Sequence, residues 1–581
     1  MELRVFLPFG ILLIVFNSIV NLLYHPPLDP LNILVIVTGV CFFLIGVMGE
    51  KILTFLERSV SILESKPYHV LFIIIFSSVV IRLLFLPERW INPDEGAHLY
   101  DAKFVLEGKI PFVDYGSRMP FYVYSLAAFL KVFGCGFIYG RLLPLFSSVG
   151  IGIIVFFIGQ RLFNTKIALL ASAIYLFSPL SILWSVVVKT ELPATLLVSA
   201  GMLALLSYFK LEKRAYYLLF LAGVLFALAF YVRQSALMML IASLIFVLYY
   251  YKDNVFGAAK TYGVILLGYL SVVLVIFAFF SGFMGFSDTW NSNLNPLDTV
   301  STPLQKVSNL YGGEQPSSSR SEEFRLEDQP WHQSVKEWRR TLEINSLLIF
   351  GLILSITYWI YYYRKERNPF SEFKLSYIFV YGWFFSIFIF YLYYSMQRGF
   401  FNQYFGEALP PLALITSHVI YSLTTNKEFR KKFNVLVLII LFSFFVSSFD
   451  YVISFDGVDS SFSCVWSPQT IGETTSYLKG SNKDAEVMSG AVIWEFESDT
   501  KPFLNITHPL SFRSGMNDKQ VKEVKDRMFT DPPEYIILDG YTEQTYIRQV
   551  PAIKSVMNNS YVLKKEVSGS KYPVKIYELV K

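Results

Sequence analysis

The sequence is poor in the features that mark soluble enzymes. Charged residues make up only 16% of its 581 positions, against 54% hydrophobic and 17% aromatic, and mean hydropathy is +0.46. A soluble core could not hide that much apolar surface. Cys41, Cys135 and Cys464 are the only cysteines and lie far apart, which argues against a disulfide framework or a zinc site. The six histidines form no HxxxH or similar ligand pair. There is no Walker A sequence and no GxGxxG between a strand and a helix, so no nucleotide site is indicated. The net charge of +5 is small for the length and its lysines and arginines are scattered, which leaves no nucleic-acid footprint. No internal repeat is evident, and low complexity is confined to the polar stretch 312–325.

What is present is a series of apolar runs, near 5–23, 31–49, 69–86, 138–160, 167–187, 192–209, 216–232, 235–251, 258–281, 345–363, 374–394, 407–424 and 433–452. Each is long enough to be read as a membrane span, which predicts a mainly α, polytopic membrane protein of about thirteen transmembrane helices. The first run lacks a small-residue cleavage site and reads as a retained helix. The segment 120–133 is apolar but short, and suits an interfacial or re-entrant helix. If it does not cross and the N-terminus is cytoplasmic, every inside loop is basic. These loops carry Lys51, Arg58 and Lys66; Arg161 and Lys166; Lys210, Lys213 and Arg214; Lys252 and Lys260; Arg364, Lys365 and Arg367; and Lys427 to Lys432. A crossing at 120–133 would invert the later loops, so that topology is rejected.

The accepted topology divides the chain into two additional N-terminal helices (1–66), a transmembrane catalytic domain (67–453) with outer loops 87–137 and 282–344, and an extracytoplasmic tail (454–581). The tail alternates short β-like runs at 486–496, 535–539, 561–567 and 573–579 with polar helical stretches, the pattern of a small α/β domain. It holds two sequons, Asn505-Ile-Thr507 and Asn558-Asn-Ser560.

On the same outer face lies Asn92-Pro-Asp-Glu-Gly-Ala-His-Leu-Tyr100, which sets two adjacent carboxylates just beyond an apolar run. Two readings are open for Asp94: a group acting on a lipid-borne substrate at the membrane surface, or part of a helix start after Pro93. An enzyme on this face has no access to cytoplasmic nucleotide-activated donors. An activated group would have to arrive on a membrane lipid.

Residues 93–100, together with Arg118-Met-Pro120, Phe133-Gly134 and Arg141-Leu-Leu-Pro144, resemble the first outer loop of C-type (GT-C) membrane glycosyltransferases. The likeness is to the branch of the protein O-mannosyltransferases and the lipid A aminoarabinose transferase. Phe177-Ser-Pro179 through Glu191-Leu-Pro193, and Gln403-Tyr404 to Pro410-Pro411, look like later motifs of that branch. The resemblance covers residues 70–425, and implies transfer of a hexose or pentose from a polyprenyl- or dolichyl-phosphate donor, with inversion, to a protein, lipid or glycan acceptor at the outer face of the plasma membrane.

By the same resemblance Asp94 matches the acidic general base, with Glu95 orienting it or sharing a metal. A carboxylate suits the task because an acceptor hydroxyl is too weak an acid to ionise near neutral pH unaided. Arg118 is assigned to the donor phosphate, since a guanidinium fork fits phosphate oxygens, although an arginine snorkelling to the headgroups at an interfacial helix explains it as well. Arg233 and Lys189 are further phosphate candidates, although helix-end anchoring explains both. Glu191 matches a second acidic position and equally a first-turn acid on a helix dipole. Gln403, Tyr404 and Glu407 are candidates for a cavity wall or for interfacial aromatic packing, and His98, one turn after Asp94, for the same pocket or for a structural role on its helix. No cofactor is required. A divalent metal on Asp94 or Glu95 is compatible with the oxygen ligands but not demanded.

The rival from another class is a multipass transporter or flippase of a lipid-linked or polar solute, which should show midplane charges and a repeat. An external receptor or anchoring protein would leave Asp94 and Arg118 dispensable. The nearer enzyme alternative, an oligosaccharyltransferase, lacks its WWD-type motif here.

Overall fold

The computed structural model describes residues 65–210, 215–292, 294–296, 330–365, 374–398, 400–425, 466–480, 483–507, 518–568 and 573–580. The predicted helices at 5–23, 31–49 and 433–452 lie outside the described residues. The ten other predicted segments are all helical, among them Pro67–Phe85, Glu191–Lys210, Val255–Met284 and Lys374–Arg398. Among the described residues, five helices are long and apolar enough to cross a membrane. They become six if Ser334–Ile344 and Ser346–Ile360, bent by 82° at Asn345, count as one span. Among the described residues the multi-pass membrane character thus rests on five or six evident spans, and the count of about thirteen stands as a reading of the sequence. Several of the predicted segments form shorter apolar helices, such as Thr165–Phe177 and Tyr216–Phe230.

One predicted span, 167–187, is two helices. It breaks at Ser178, and Pro179, which has no N–H to donate, opens the short helix Pro179–Trp184. Segment 120–133 forms the 14-residue helix Pro120–Phe133. At about 1.5 Å per residue it reaches roughly 21 Å, short of a hydrocarbon core of about 30 Å.

The tail is a five-stranded mixed sheet of order β2-β1-β3-β5-β4 with helices packed on it. The strands are β1 (Glu486–Met488), β2 (Lys501–Pro502), β3 (Tyr535–Leu538), β4 (Tyr561–Val567) and β5 (Val574–Leu579). β1 runs parallel to β2 and β3, whereas β5 is antiparallel to β3 and β4. The predicted strand 486–496 stops after three residues, and its second half is the helix Ile493–Ser498. That helix buries Ile493, Trp494 and Phe496 because it packs on the helix Pro93–Leu106 rather than in the sheet.

The contact is intimate. At Gly96 an added Cβ would lie 2.4 Å from the Ile493 nitrogen, so only glycine admits the tail helix at this distance. Leu99, Tyr100 and Phe104 of the helix Pro93–Leu106, and Tyr122 and Leu126 of the next helix, share one apolar core with Val487, Ile493, Trp494 and Ile537 of the tail. Each such buried side chain contributes about 1.5–3 kcal/mol, so the tail and the segment 91–126 form one packed unit. Backbone hydrogen bonds in both directions between Ile91 and Trp466 close it.

Candidate active site

The site is built on the first turn of the helix Pro93–Leu106. Asn92 caps it by accepting hydrogen bonds from the N–H groups of Asp94 and Glu95, and Pro93 supplies a preset φ at the first helical position. Asp94 therefore does belong to a helix start, in a capped first turn where the helix dipole favours a carboxylate. The same carboxylate also faces a polar cluster.

Lys189 Nζ donates to Asp94 Oδ2. The other oxygen, Oδ1, is buried from solvent and accepts no hydrogen bond among the described residues. Burial pushes the Asp94 carboxyl up, but Lys189, Arg118 and His98 together outweigh it and leave the group below the ordinary carboxylate range. Asp94 is therefore held as an anion, with Oδ2 oriented by Lys189 and the buried Oδ1 unpaired among the described residues.

Glu95 sits differently. Fully buried, it is held bidentately by Arg141, from Nε at 2.9 Å and Nη2 at 2.8 Å, and accepts the Val188 N–H at 3.0 Å. Arg141 also donates to the carbonyls of Leu86 (2.8 Å), Arg89 (2.9 Å) and Trp90 (3.3 Å). This cluster fixes the irregular segment before the helix Glu191–Lys210, and since Val188 immediately precedes Lys189, it also sets the cation on Asp94.

Arg233 occupies the break between the helices Tyr216–Phe230 and Met238–Tyr250. Its guanidinium pairs with Glu191 at 3.1 Å and Glu407 at 2.7 Å, donates to Thr190 Oγ1, and lies 4.6 Å from the Tyr404 ring centre. Glu407 further accepts from Ser235 at 2.9 Å and Tyr391 at 2.5 Å. Glu191 Oε2 remains without a hydrogen-bond partner among the described residues. Gln403 is buried on the same short helical segment, Asn402–Ala408, and Tyr404 stacks on Tyr391. His98 is buried edge-on against Tyr122, their centroids 5.0 Å apart.

Arg118 is the exception among these cations. It is exposed, and its guanidinium makes no ion pair or hydrogen bond among the described residues, although its charge acts on Asp94. Among the described residues no three His, Cys, Asp or Glu side chains group as a metal site.

Sequence reasoning missed the roles of Arg141, Tyr391 and Asp101. Asp101 is buried seven residues after Asp94, and that helical spacing, which puts it on the face of Asp94 and His98, was the available signal.

A family model described as dolichyl-phosphate-mannose-protein mannosyltransferase matches residues 117–280. The structure resembles apo ArnT from Cupriavidus metallidurans at 12% identity and TM-score 0.53, over 88% of this chain and 98% of that one. This is the fold of the GT-C membrane glycosyltransferases. The same likeness extends to ArnT bound to undecaprenyl phosphate, at 12% identity and TM-score 0.53, over 89% of this chain and 99% of that one. Another GT-C structure, AglB, the oligosaccharyltransferase of Archaeoglobus fulgidus in complex with an inhibitory peptide and a dolichol-phosphate, matches at 14% identity and TM-score 0.53, over 88% of this chain and 74% of that one. No curated protein sequence matches the chain.

Proposed function

We propose that the chain transfers a sugar from a polyprenyl- or dolichyl-phosphate carrier to an acceptor hydroxyl at the outer face of the plasma membrane, with inversion at the anomeric carbon. The observation that carries this reading is the pairing of roles on one outer segment: a carboxylate oxygen left unpaired at Asp94 and an uncommitted guanidinium at Arg118. Solved GT-C structures with bound undecaprenyl phosphate and dolichol-phosphate support the donor class.

The acceptor oxygen attacks the anomeric carbon while Asp94 Oδ1 takes its proton, and the bond from that carbon to the phosphate oxygen breaks with its electron pair going to the lipid phosphate. The departing phosphate gains a negative charge, which Arg118 and Lys189 stabilise. Lys189 serves twice, since it holds Asp94 before the donor arrives and lies beside it as the phosphate leaves. Arg233, taken by Glu191 and Glu407, organises the cavity wall rather than the phosphate. Glu95, closed off by Arg141, positions Lys189.

The residues do not favour a metal on these carboxylates: an ion on Glu95 would have to displace Arg141, and one on the unpaired Oδ1 of Asp94 would lie beside the Lys189 ammonium. Side-chain cations supply the charge in this reading.

The test is sugar transfer from radiolabelled polyprenyl-phosphate sugars by the purified protein in lipid. Wild type should consume a donor, and Asp94→Asn and Arg118→Ala should lose most transfer while folded. Absence of turnover with every donor, combined with wild-type carrier binding by Arg118→Ala, would sink the proposal and turn attention to transport.

A further inference from the structure

Asp101 sits where the tail, the catalytic helix and the Arg118 loop meet. It is fully buried on the helix Pro93–Leu106, two turns from Asp94. On the loop side its Oδ2 accepts from Ser117 Oγ at 3.2 Å and from the Arg118 N–H at 3.4 Å, and its carbonyl accepts from Tyr115 Oη at 2.9 Å. On the tail side its Oδ1 accepts from Thr507 Oγ1 at 2.7 Å. One carboxylate thus uses its two oxygens to tie residues 117–118 to a residue nearly four hundred positions later in the chain.

Thr507 is the hydroxyl residue of the Asn505-Ile-Thr507 sequon, and it is 3% exposed while Asn505 is open to solvent. The turn delivering it passes through two left-handed residues, Leu504 (φ 58°) and Asn505 (φ 54°), so Thr507 is presented by a specific backbone path rather than by a floppy end. The rest of the junction is ordinary docking: Tyr100 Oη donates to the Thr500 carbonyl at 2.8 Å, and Lys103 pairs with Asp499 at 2.7 Å near the surface. Neither of those contacts reaches the Arg118 loop. The Asp101 contact does.

We propose that Asp101 is a positioning residue through which the tail domain sets the backbone of Arg118, so that binding of the lipid-phosphate group depends on the Thr507–Asp101–Arg118 connection. The proposal rests on the assignment of Arg118 to the donor phosphate. A guanidinium on a long side chain reaches a phosphate from many backbone positions, and fixing Ser117 and Arg118 to a buried carboxylate removes most of that freedom before the ligand arrives. The tail then acts as part of the donor site, whatever it also does for acceptors.

The experiment measures binding of undecaprenyl phosphate to the full-length protein in nanodiscs. Variants are Thr507→Val, Thr507→Ser and Ser117→Ala, each made alone and together with Arg118→Ala, with Lys103→Gln as the docking control. Thr507→Val and Ser117→Ala should weaken binding about 5- to 20-fold. Thr507→Ser, which keeps the hydroxyl, and Lys103→Gln should stay within about 2-fold of wild type. In the Arg118→Ala background the Thr507 and Ser117 changes should have no further effect, because the group they position is gone. Equal losses with and without Arg118, or wild-type binding by both Thr507→Val and Ser117→Ala, would overturn the proposal while leaving Arg118 in place. Wild-type binding by Arg118→Ala alone would instead remove the assignment beneath it. Ser117→Ala alters only the loop side, so the outcome remains readable if Thr507→Val does not fold.

Discussion

Replacing Arg141 by methionine separates a positioning role for Glu95 from a catalytic one. Both members of the pair are fully buried, with the nitrogen and oxygen 2.8 Å apart. Removing the arginine leaves Glu95 to the Val188 N–H, and strips the carbonyls of Leu86 and Arg89 of a donor. Breaking a buried pair from one side costs about 3–5 kcal/mol, and each uncovered polar group adds about 1–3 kcal/mol unless water reaches it. The broken pair alone costs roughly 4 kcal/mol, and the carbonyls of Leu86, Arg89 and Trp90 add to it wherever water does not reach them, so Arg141→Met should lose at least about 4 kcal/mol. Neutralising both partners, as Glu95→Gln with Arg141→Met, should recover a large part of it, because no buried charge is then stranded. The assay is thermal unfolding of the protein in nanodiscs for the two single variants and the double, with undecaprenyl phosphate binding in parallel. The positioning role further requires that Arg141→Met weaken the phosphate contact by letting the 185–190 segment shift Lys189. An Arg141→Met protein that melts with wild type, or a double variant worse than both singles, would refute the reasoning.

Asp94→Asn should reduce transfer by about 10²- to 10⁴-fold at unchanged donor affinity, measured by single-turnover kinetics. Because the cations hold Asp94 below the usual carboxylate range, the group keeps its base form as pH falls, and kcat/KM should show no acidic limb belonging to it above about pH 4; a limb near pH 6 that vanishes in a variant with a shifted Asp94 would contradict this. Chelation with EDTA should leave transfer unchanged, and loss restored specifically by a divalent ion would reverse the assignment of charge stabilisation to side chains. In the tail, burial raises Glu495 to about 8, with Ser489 lowering it and Asp539 raising it. A folded value above the unfolded one means the native chain keeps a proton that the unfolded chain releases, so stability should fall as pH rises from about 4.5 to about 8. Glu495→Gln should flatten that profile and add on the order of 2–3 kcal/mol near pH 7, read by hydrogen exchange of the tail.

Much of this molecule could be read from residue order. Apolar run length located the long helices in the described part of the membrane domain, because a helix must satisfy its own backbone in lipid. The strands at 535–539, 561–567 and 573–579 also appear nearly where alternation put them. The misreadings have a common cause. The run 167–187 is apolar throughout, yet Pro179 cannot accept the role of a mid-helix residue; the run 486–496 is apolar in its second half because the membrane domain covers it, and a hydrophobic pattern does not say what does the covering.

The charges show the same limit more sharply. Asp94, Glu95, Lys189, Glu191, Arg233 and Glu407 could be chosen as candidates by type and place, but their roles follow from pairing, and pairing joins residues far apart in the chain. Glu95 and Arg141 neutralise each other, Lys189 takes one oxygen of Asp94, and Arg233 is divided between Glu191 and Glu407. With these assignments made, the four cations are balanced against four carboxylates, yet the balance is uneven in space. Arg118 carries a charge that no carboxylate among the described residues engages, while Glu191 and Glu407 share a single arginine. A lipid phosphate corrects the imbalance on the Arg118 side and aggravates it on the Glu191 side. In the reaction proposed above, this directs the anionic carrier to the Arg118–Lys189 edge of the cluster, and the sugar and acceptor hydroxyls, which are neutral donors, to the unpaired oxygens of Asp94 and Glu191.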